Sequence, residues 1–508
     1  MNERSVNWTD AAHPFWTWAQ VICAAATVVP LWSAAHLPFT DLPQHVAAIG
    51  ALRHWWDPAW KSRQYYTFTV GGSQYVLYYL SGALLAFPFA TAERANVVLL
   101  SLIAVAFPYS LRSLLRAIEV DARLALFACA LFWSQPLLIG YFNYIAAMPV
   151  LLWGLARVVR QAEAPSHRTF WLLAATGVAL FYLHLSALLF FVLAGGIAAL
   201  ALPLPRVARP RAWWLRLLWM VPAGLLTVFW LSKAHVTPLA GQGAARVRFE
   251  APSAALRNVP EVLINIWRGP EGEWCLFALI GAAALLATLG AVSPGVPRRN
   301  VVVAAWVLLA GVLYFAFPFS IGVPVQLNER YALVFALLVP ALLRPGPGMR
   351  GALPLLLVAA TGLGAAGVAL VNIRHFDREV GGFDAVLAHA APGRRVIGVI
   401  VDQNSGVAKF SPFLHFASYY RARQGGVASF SFAEYPFMPL QYKQASAPPR
   451  KPIGWEWDSH AFNNAIDGAY YDYVLVHGDV DPFARQPPGP RWHLLSRDER
   501  WALYEKIE

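Results

Sequence analysis

Residues 15–45 read FWTWAQVICAAATVVPLWSAAHLPFTDLPQH, and this stretch decides what kind of chain this is. From Phe15 onward about 20 residues carry no charge, the length needed to cross a hydrocarbon core. They run up to Asp41-Leu42-Pro43-Gln44-His45, which sets an acid and an imidazole four residues apart at the edge of membrane-grade sequence. An ionisable pair at such a depth is costly unless it is solvated, paired or used. Asp41 has two readings. It caps a helix over residues 43–56, since Asp is a favoured N-cap and Pro a favoured first-turn residue; or its carboxylate is kept for chemistry at the membrane surface.

The rest of the chain fits the membrane setting. It is 58% hydrophobic and 13% charged, against roughly 25% charged for a soluble protein. Apolar runs recur through the first 371 positions, which makes this a polytopic α-helical membrane protein. Residues 15–35 are Trp-rich and no small-residue cleavage site follows, so they read as a first span or signal anchor. The net charge of +12 does not imply a nucleic-acid partner, because the basic residues fall in short clusters between apolar spans. These are Arg112/Arg116/Arg123, Arg157/Arg160/Arg168, Arg206/Arg209/Arg211/Arg216, Arg298/Arg299 and Arg344/Arg350. Such clusters mark cytoplasmic loops. Cys23, Cys129 and Cys275 all lie in apolar spans and read as packing residues rather than a disulfide framework.

With those clusters inside, a topology follows by counting. Spans near 351–371, 329–343, 300–319 and 274–293 place the C-terminal tail, residues 320–328 and residues 232–273 outside. Residues 213–231 enter from the cytoplasm. Residues 171–203 must go out and return, turning near His184, and 122–157 do the same near Gly140-Tyr141-Phe142-Asn143. Residues 95–115 run inward. Segment 74–90, Tyr-rich and entered through Gly71-Gly72, is short for a span. It reads as a half-inserted helix within an external region 36–93, giving eleven crossings with the N-terminus inside; a full crossing, for twelve, would need an external N-terminus. A transmembrane domain thus covers 1–375. Residues 376–508 form a small soluble α/β domain, with a helix at 384–391 and strands at 395–401 and 471–476 among Gly, Pro and Asp.

On this topology one face collects Asp41, His45, Tyr65-Tyr66-Thr67-Phe68, Tyr78, Tyr79, Asn143, His184, Lys233, His235 and Asn328-Glu329-Arg330. A carboxylate, several imidazoles and fixed cations suit an anionic lipid headgroup beside a hydroxyl nucleophile. Sugar transfer from a polyprenyl phosphate needs little else. The phosphate is already a good leaving group, so one base and a set of cations suffice, whereas glycoside hydrolysis needs two carboxyl groups. Each residue also has a plainer reading: His184 a buried helix histidine, Lys233 a snorkelling span end, Arg330 a partner of Glu329, Asn143 a turn residue. His45, one helical turn from Asp41, reads as a positioning group for it. His415 and Trp455-Glu456-Trp457 could contact an acceptor, though aromatics in a small domain are usually core.

An acid in the first external loop, an aromatic amphipathic stretch after it, and many spans ending in an external domain resemble the GT-C superfamily of membrane glycosyltransferases. That superfamily includes the protein mannosyltransferases and the bacterial aminoarabinose transferase. The resemblance covers residues 15–371 as architecture, and its one sharp element is Asp-x-Pro-x-His at 41–45. It implies a polyprenyl-phosphate sugar donor, transfer to an envelope glycan, lipid or protein on the periplasmic side of the bacterial inner membrane, and a general-base role for Asp41. Relatives often carry a second acid or an aromatic after the base; here Leu42 follows, so use of a divalent metal ion stays open. Two other classes compete, a flippase for lipid-linked sugar and a catalytically silent scaffold of the same fold. Midplane acids and paired interrupted helices, expected of a transporter, are not evident. The chain shows no P-loop, Gly-x-Gly-x-x-Gly, Gly-x-Ser-x-Gly or zinc-type Cys/His spacing.

Overall fold

The computed structural model describes residues 8–71, 73–202, 216–234, 247–290, 298–452, 454–484 and 486–507. Six of its helices are long and apolar enough to cross a membrane: Pro14–Trp32, Ala92–Ala117, Phe142–Glu163, Glu271–Thr288, Arg298–Ala316 and Met349–Val380. Shorter apolar helices stand among them, including Ala122–Leu131, Leu185–Ala201, Leu218–Lys233 and Arg330–Leu342.

The basic loops converge at one end of this bundle. Arg299 pairs with Glu119 and Glu163 at 2.5 Å each. Arg216 donates to the carbonyls of Ala162 and Leu202, Arg344 to Asn300, and Arg123 to Asp121 and the Thr9 carbonyl. Loops scattered through the sequence are thus tied together by their charges.

The two expected reversals occur at the opposite end. Gly140, at φ +101°, terminates the short helix Gln135–Ile139 in a left-handed conformation, and the chain reverses into Phe142–Glu163. His184 is a single extended residue (φ −162°, ψ 124°) between helices His167–Leu183 and Leu185–Ala201. These form a hairpin, because both arms meet Gly154 of Phe142–Glu163 at equal depth. A Cβ on Gly154 would lie 2.7 Å from Phe191 on one arm and 2.9 Å from Thr176 on the other. Only glycine admits that close approach.

Segment 74–90 contains the helix Val76–Ala86, whose 11 residues span roughly 16 Å, too short for a bilayer core. Its flanks return to the same end: Arg53 donates to the Ala90 carbonyl, and Tyr78 Oη donates to Asn96 (2.7 Å).

The tail is built on a five-stranded sheet ordered Val427–Ala428, Arg395–Ile400, Tyr473–His477, Trp501–Ile507, Arg491–Asp498. The first two pairings are parallel and the last two antiparallel. Both expected strands are present within a residue or two. The expected helix is shorter, Phe383–Leu387. A boundary at 375 is not where the chain breaks. The last apolar helix continues to Val380 and stops at Gly381, whose φ of +58° a helix cannot accommodate.

The tail is also not a separate body hanging from that helix. Strand Tyr66–Phe68 of the first loop pairs antiparallel with Leu440–Tyr442, and helix Ser418–Gln424 lies against Leu42–Arg53 with the Ala422 carbonyl close over Gly50. An ionic cluster built around the buried His36 fastens the junction. His36 lies 3.3 Å from Asp377 and 3.2 Å from Asp384, and Arg423 bridges Asp384 (2.7 Å) to Glu93 (2.8 Å). Burial disfavours the His36 imidazolium, yet its two carboxylate partners raise its proton affinity overall; Asp384 is held well below the usual carboxylate range by His36 and Arg423.

Candidate active site

Each polar residue of the Asp41–His45 element has a separate task. Asp41 begins helix Leu42–Arg53, but its side chain makes no capping bond; the carboxylate is turned away from the helix. Its backbone is fixed instead, with Asp41 N donating to the Ile139 carbonyl (2.8 Å) and Thr40 N to that of Leu138 (3.0 Å). Gln44 reaches the tail, donating to the Phe430 carbonyl (2.5 Å) and accepting from Phe432 N (3.3 Å). The His45 backbone N–H donates to the Asp41 carbonyl (3.1 Å), but its imidazole makes no hydrogen bond to the Asp41 carboxylate. Its Nε2 donates to the Gly140 carbonyl (2.7 Å), and its ring stacks on Tyr79 and tilts against Phe142. Burial pulls the His45 imidazole down to about 4, so it is neutral and serves as a fixed donor. It therefore holds the turn against which Asp41 rests.

The carboxylate of Asp41 lies where two cavities meet. The first, of about 180 Å³, is lined by Asp41, His45, Tyr79, Asn143, His184 and Arg330, with Tyr75 and Tyr141. Its far wall is cationic. Arg330 is buried (7% exposed), lies over the Tyr141 ring at 4.7 Å, and forms no ion pair among the described residues. In particular it does not pair with Glu329. Arg330 Nη1 lies 3.0 Å from His184 Nε2, while His184 Nδ1 accepts from Ser186 N (3.2 Å). A neutral imidazole whose Nδ1 accepts carries its proton on Nε2. Two donors then face each other, and an anion beside them would resolve that conflict.

The second cavity, of about 590 Å³, opens from Asp41 toward the tail. His415 Nε2 lies 3.3 Å from Asp41 Oδ1, with its ring stacked flat on Phe430 at 4.8 Å. Glu456 and Trp457 line the same space. Burial raises the Glu456 carboxyl above its ordinary range, and nearby Asp41 adds to the shift.

The structure thus gathers Asp41, His45, Tyr79, Asn143, His184 and Arg330. Tyr78 packs behind His45 with its hydroxyl committed to Asn96, outside the cavity lining. Lys233 is not part of the site. It stands exposed at the end of helix Val221–Ala234, its amine 5.0 Å over Phe229, as a span-end lysine does when it reaches for the surface. His235 lies outside the described residues. Sequence reasoning undervalued His415 and Glu456. A histidine in a small domain carries no local mark of its partner, and the Asp41 contact appears only once the tail is docked. For a divalent ion, no group of three or more His, Cys, Asp or Glu side chains converges among the described residues.

No protein-family model and no curated protein matches the chain. Among solved structures, ArnT from Cupriavidus metallidurans in the apo state is similar over 97% of this chain and 98% of that one, at 14% identity and a TM-score of 0.56. The same protein bound to undecaprenyl phosphate gives 13% identity over the same shares and a TM-score of 0.57. Arabinofuranosyltransferase AftD from Mycobacteria matches 98% of this chain at 15% identity and a TM-score of 0.55, with 40% of its own length covered. Over nearly its whole length, tail included, the chain shares the fold of these solved structures.

Proposed function

We propose that this protein is a membrane glycosyltransferase that moves a sugar from a polyprenyl phosphate to an acceptor hydroxyl, with Asp41 as general base. The observation that carries the reading is the position of Asp41: a carboxylate without a capping role, at the junction of two cavities, one of which ends in the Arg330 guanidinium, which has no carboxylate partner among the described residues. The neighbour bound to undecaprenyl phosphate supports the lipid class.

In the reaction the acceptor oxygen attacks the anomeric carbon as the bond from that carbon to the phosphate oxygen breaks. The acceptor's proton passes to Asp41 and the bonding electrons leave with the phosphate. Arg330 and His184 meet that growing charge, and donors already aimed at it stabilise the transition state more than the bound donor. His45, through the Gly140 turn, keeps Asp41 fixed while this happens.

Eleven crossings, with the basic loops cytoplasmic and the Asp41 face and tail periplasmic, follow from the positive-inside pattern applied to the two ends of the bundle. A bacterial inner membrane is the setting this implies. The test is direct: full-length protein in lipid, given a short-chain polyprenyl-phosphate sugar and envelope extract, should release polyprenyl phosphate. Translocation of the intact sugar-lipid without cleavage would make it a flippase.

A further inference from the structure

The second cavity has a lining chemistry unlike that of the first. Two residues that line it each carry a buried polar atom without a partner: Nδ1 of His415, a residue 6% exposed, and Oε2 of Glu456. A buried polar atom left unpaired costs free energy that a bound hydroxyl would recover. Much of the remaining wall is aromatic, with Phe430 and Tyr435 on the tail side and Trp457 at the rim, 54% exposed. A large indole left in water beside a concave polar site offers a flat face for apolar C–H surface. Among the described residues no Lys or Arg lines this cavity, while Asp41 and Glu456 both do. The sign is therefore opposite to that of the Arg330 wall.

The geometry points to the second cavity as the seat of an uncharged carbohydrate, held by His415 and Glu456 through its hydroxyls and by Trp457 through its ring face. A phosphorylated or uronate-bearing group is disfavoured, since it would meet two carboxyl groups and no cation. Calling this sugar the acceptor rests on the transferase reading; the site itself does not. The acceptor is then a neutral glycan or glycolipid head, presented to Asp41 from the tail side while the anionic donor approaches from the Arg330 side.

The test is saturation-transfer NMR on the full chain in deuterated-lipid nanodiscs. The probes are neutral hexose and pentose oligosaccharides, each beside a counterpart phosphorylated on a primary hydroxyl. Saturation should reach ring protons of at least one neutral class and be at least tenfold weaker for its phosphorylated counterpart. Trp457→Ala, a rim substitution that leaves the core intact, and Glu456→Ala should each weaken the neutral signal at least tenfold. Arg330→Gln should leave that signal in place while abolishing binding of short-chain polyprenyl phosphate. Saturation of no neutral sugar, preference for the phosphorylated probes, or indifference to both Trp457→Ala and Glu456→Ala would overturn the inference. Sugar binding by the wild-type protein together with no binding of polyprenyl phosphate to that same protein would instead overturn the transferase reading.

Discussion

Gly140 lies directly against Asp41: a Cβ on Gly140 would fall 2.7 Å from the Asp41 Cβ and 3.0 Å from its amide nitrogen. The contact joins two reversals of the chain, the first-loop turn and the end of helix Gln135–Ile139, and sets where the carboxylate can stand. Gly140 meets two demands at once, a φ of +101° and the absence of a side chain. Gly140→Ala should therefore lower transfer by displacing Asp41, and lower the melting temperature as well. Wild-type turnover in Gly140→Ala would show that the carboxylate's position is not critical.

Asp41→Asn separates the two sequence readings of this residue. The side chain makes no capping bond, so the amide should leave thermal stability unchanged. Loss of the base should cost transfer about 100-fold or more. Sugar-transfer rates and melting curves on the same preparation decide it, and an unfolded variant with residual specific activity would return Asp41 to a structural role.

On the opposite wall, Arg330→Ala should reduce turnover on the order of 100-fold, because the charge it meets grows as the phosphate departs. It should raise the apparent KM for sugar-lipid less. Arg330→Lys keeps the charge but loses the planar fork that spans His184 and the cavity, so it should recover only part of the rate. His184→Ala should act in the same direction. Steady-state kinetics with a short-chain donor measure all three, and wild-type kcat in both alanine variants would move the phosphate site elsewhere.

Much of the fold was legible because membrane sequence is constrained in two ways at once. Spans need apolar length and their loops need charge of one sign, so the reversals at Gly140 and His184 could be placed by counting. The Asp41–His45 element was legible as a site because ionisable residues at that depth need a reason. Its internal division of labour was not. Gln44 reads as an ordinary first-turn residue until the tail loop 430–432 is seen clamped to it, and the His45 imidazole binds a turn rather than the Asp41 carboxylate. His415 and Glu456 were equally hidden, since long-range docking leaves no local period or motif. Lys233 misled for the converse reason: a lysine at a span end looks the same whether it binds phosphate or water.

The tail should carry a pH signature that can be isolated. Burial pushes the Glu434 carboxyl up to about 7, while the side chain accepts from Ser431 N (3.1 Å) in a capping box. The native state then binds more protons than the unfolded chain between its ordinary value of 4.5 and about 7. Stability from this group is present at low pH and lost as pH rises through that window. Glu434→Gln keeps an acceptor for Ser431 and needs no proton. Its melting temperature should match wild type near pH 5 and exceed it at pH 8. A constant difference across that range would mean that Glu434 is ionised in the folded protein throughout.

Sidedness is the remaining joint between fold and chemistry, because a periplasmic site can use only donors presented on that face. The structure selects the probes. Gln64, Phe249 and Ala445 are exposed on the Asp41 end, whereas Ser166 and Pro347 are exposed near the basic loops. Cys23 and Cys129 are buried and, with Cys275, can be replaced by Ala to give a silent background. Single cysteines at the first three positions should react with an impermeant thiol reagent applied to intact cells stripped of their outer membrane. Those at 166 and 347 should react only after the inner membrane is opened. Should position 64 be protected while position 445 is labelled, helix Val76–Ala86 and its flanks would have to cross the membrane after all. That outcome would contradict the strand pairing of Tyr66–Phe68 with Leu440–Tyr442, since paired strands cannot lie on opposite sides. The labelling therefore tests the half-inserted helix, the docking of the tail and the face on which Asp41 works in one experiment.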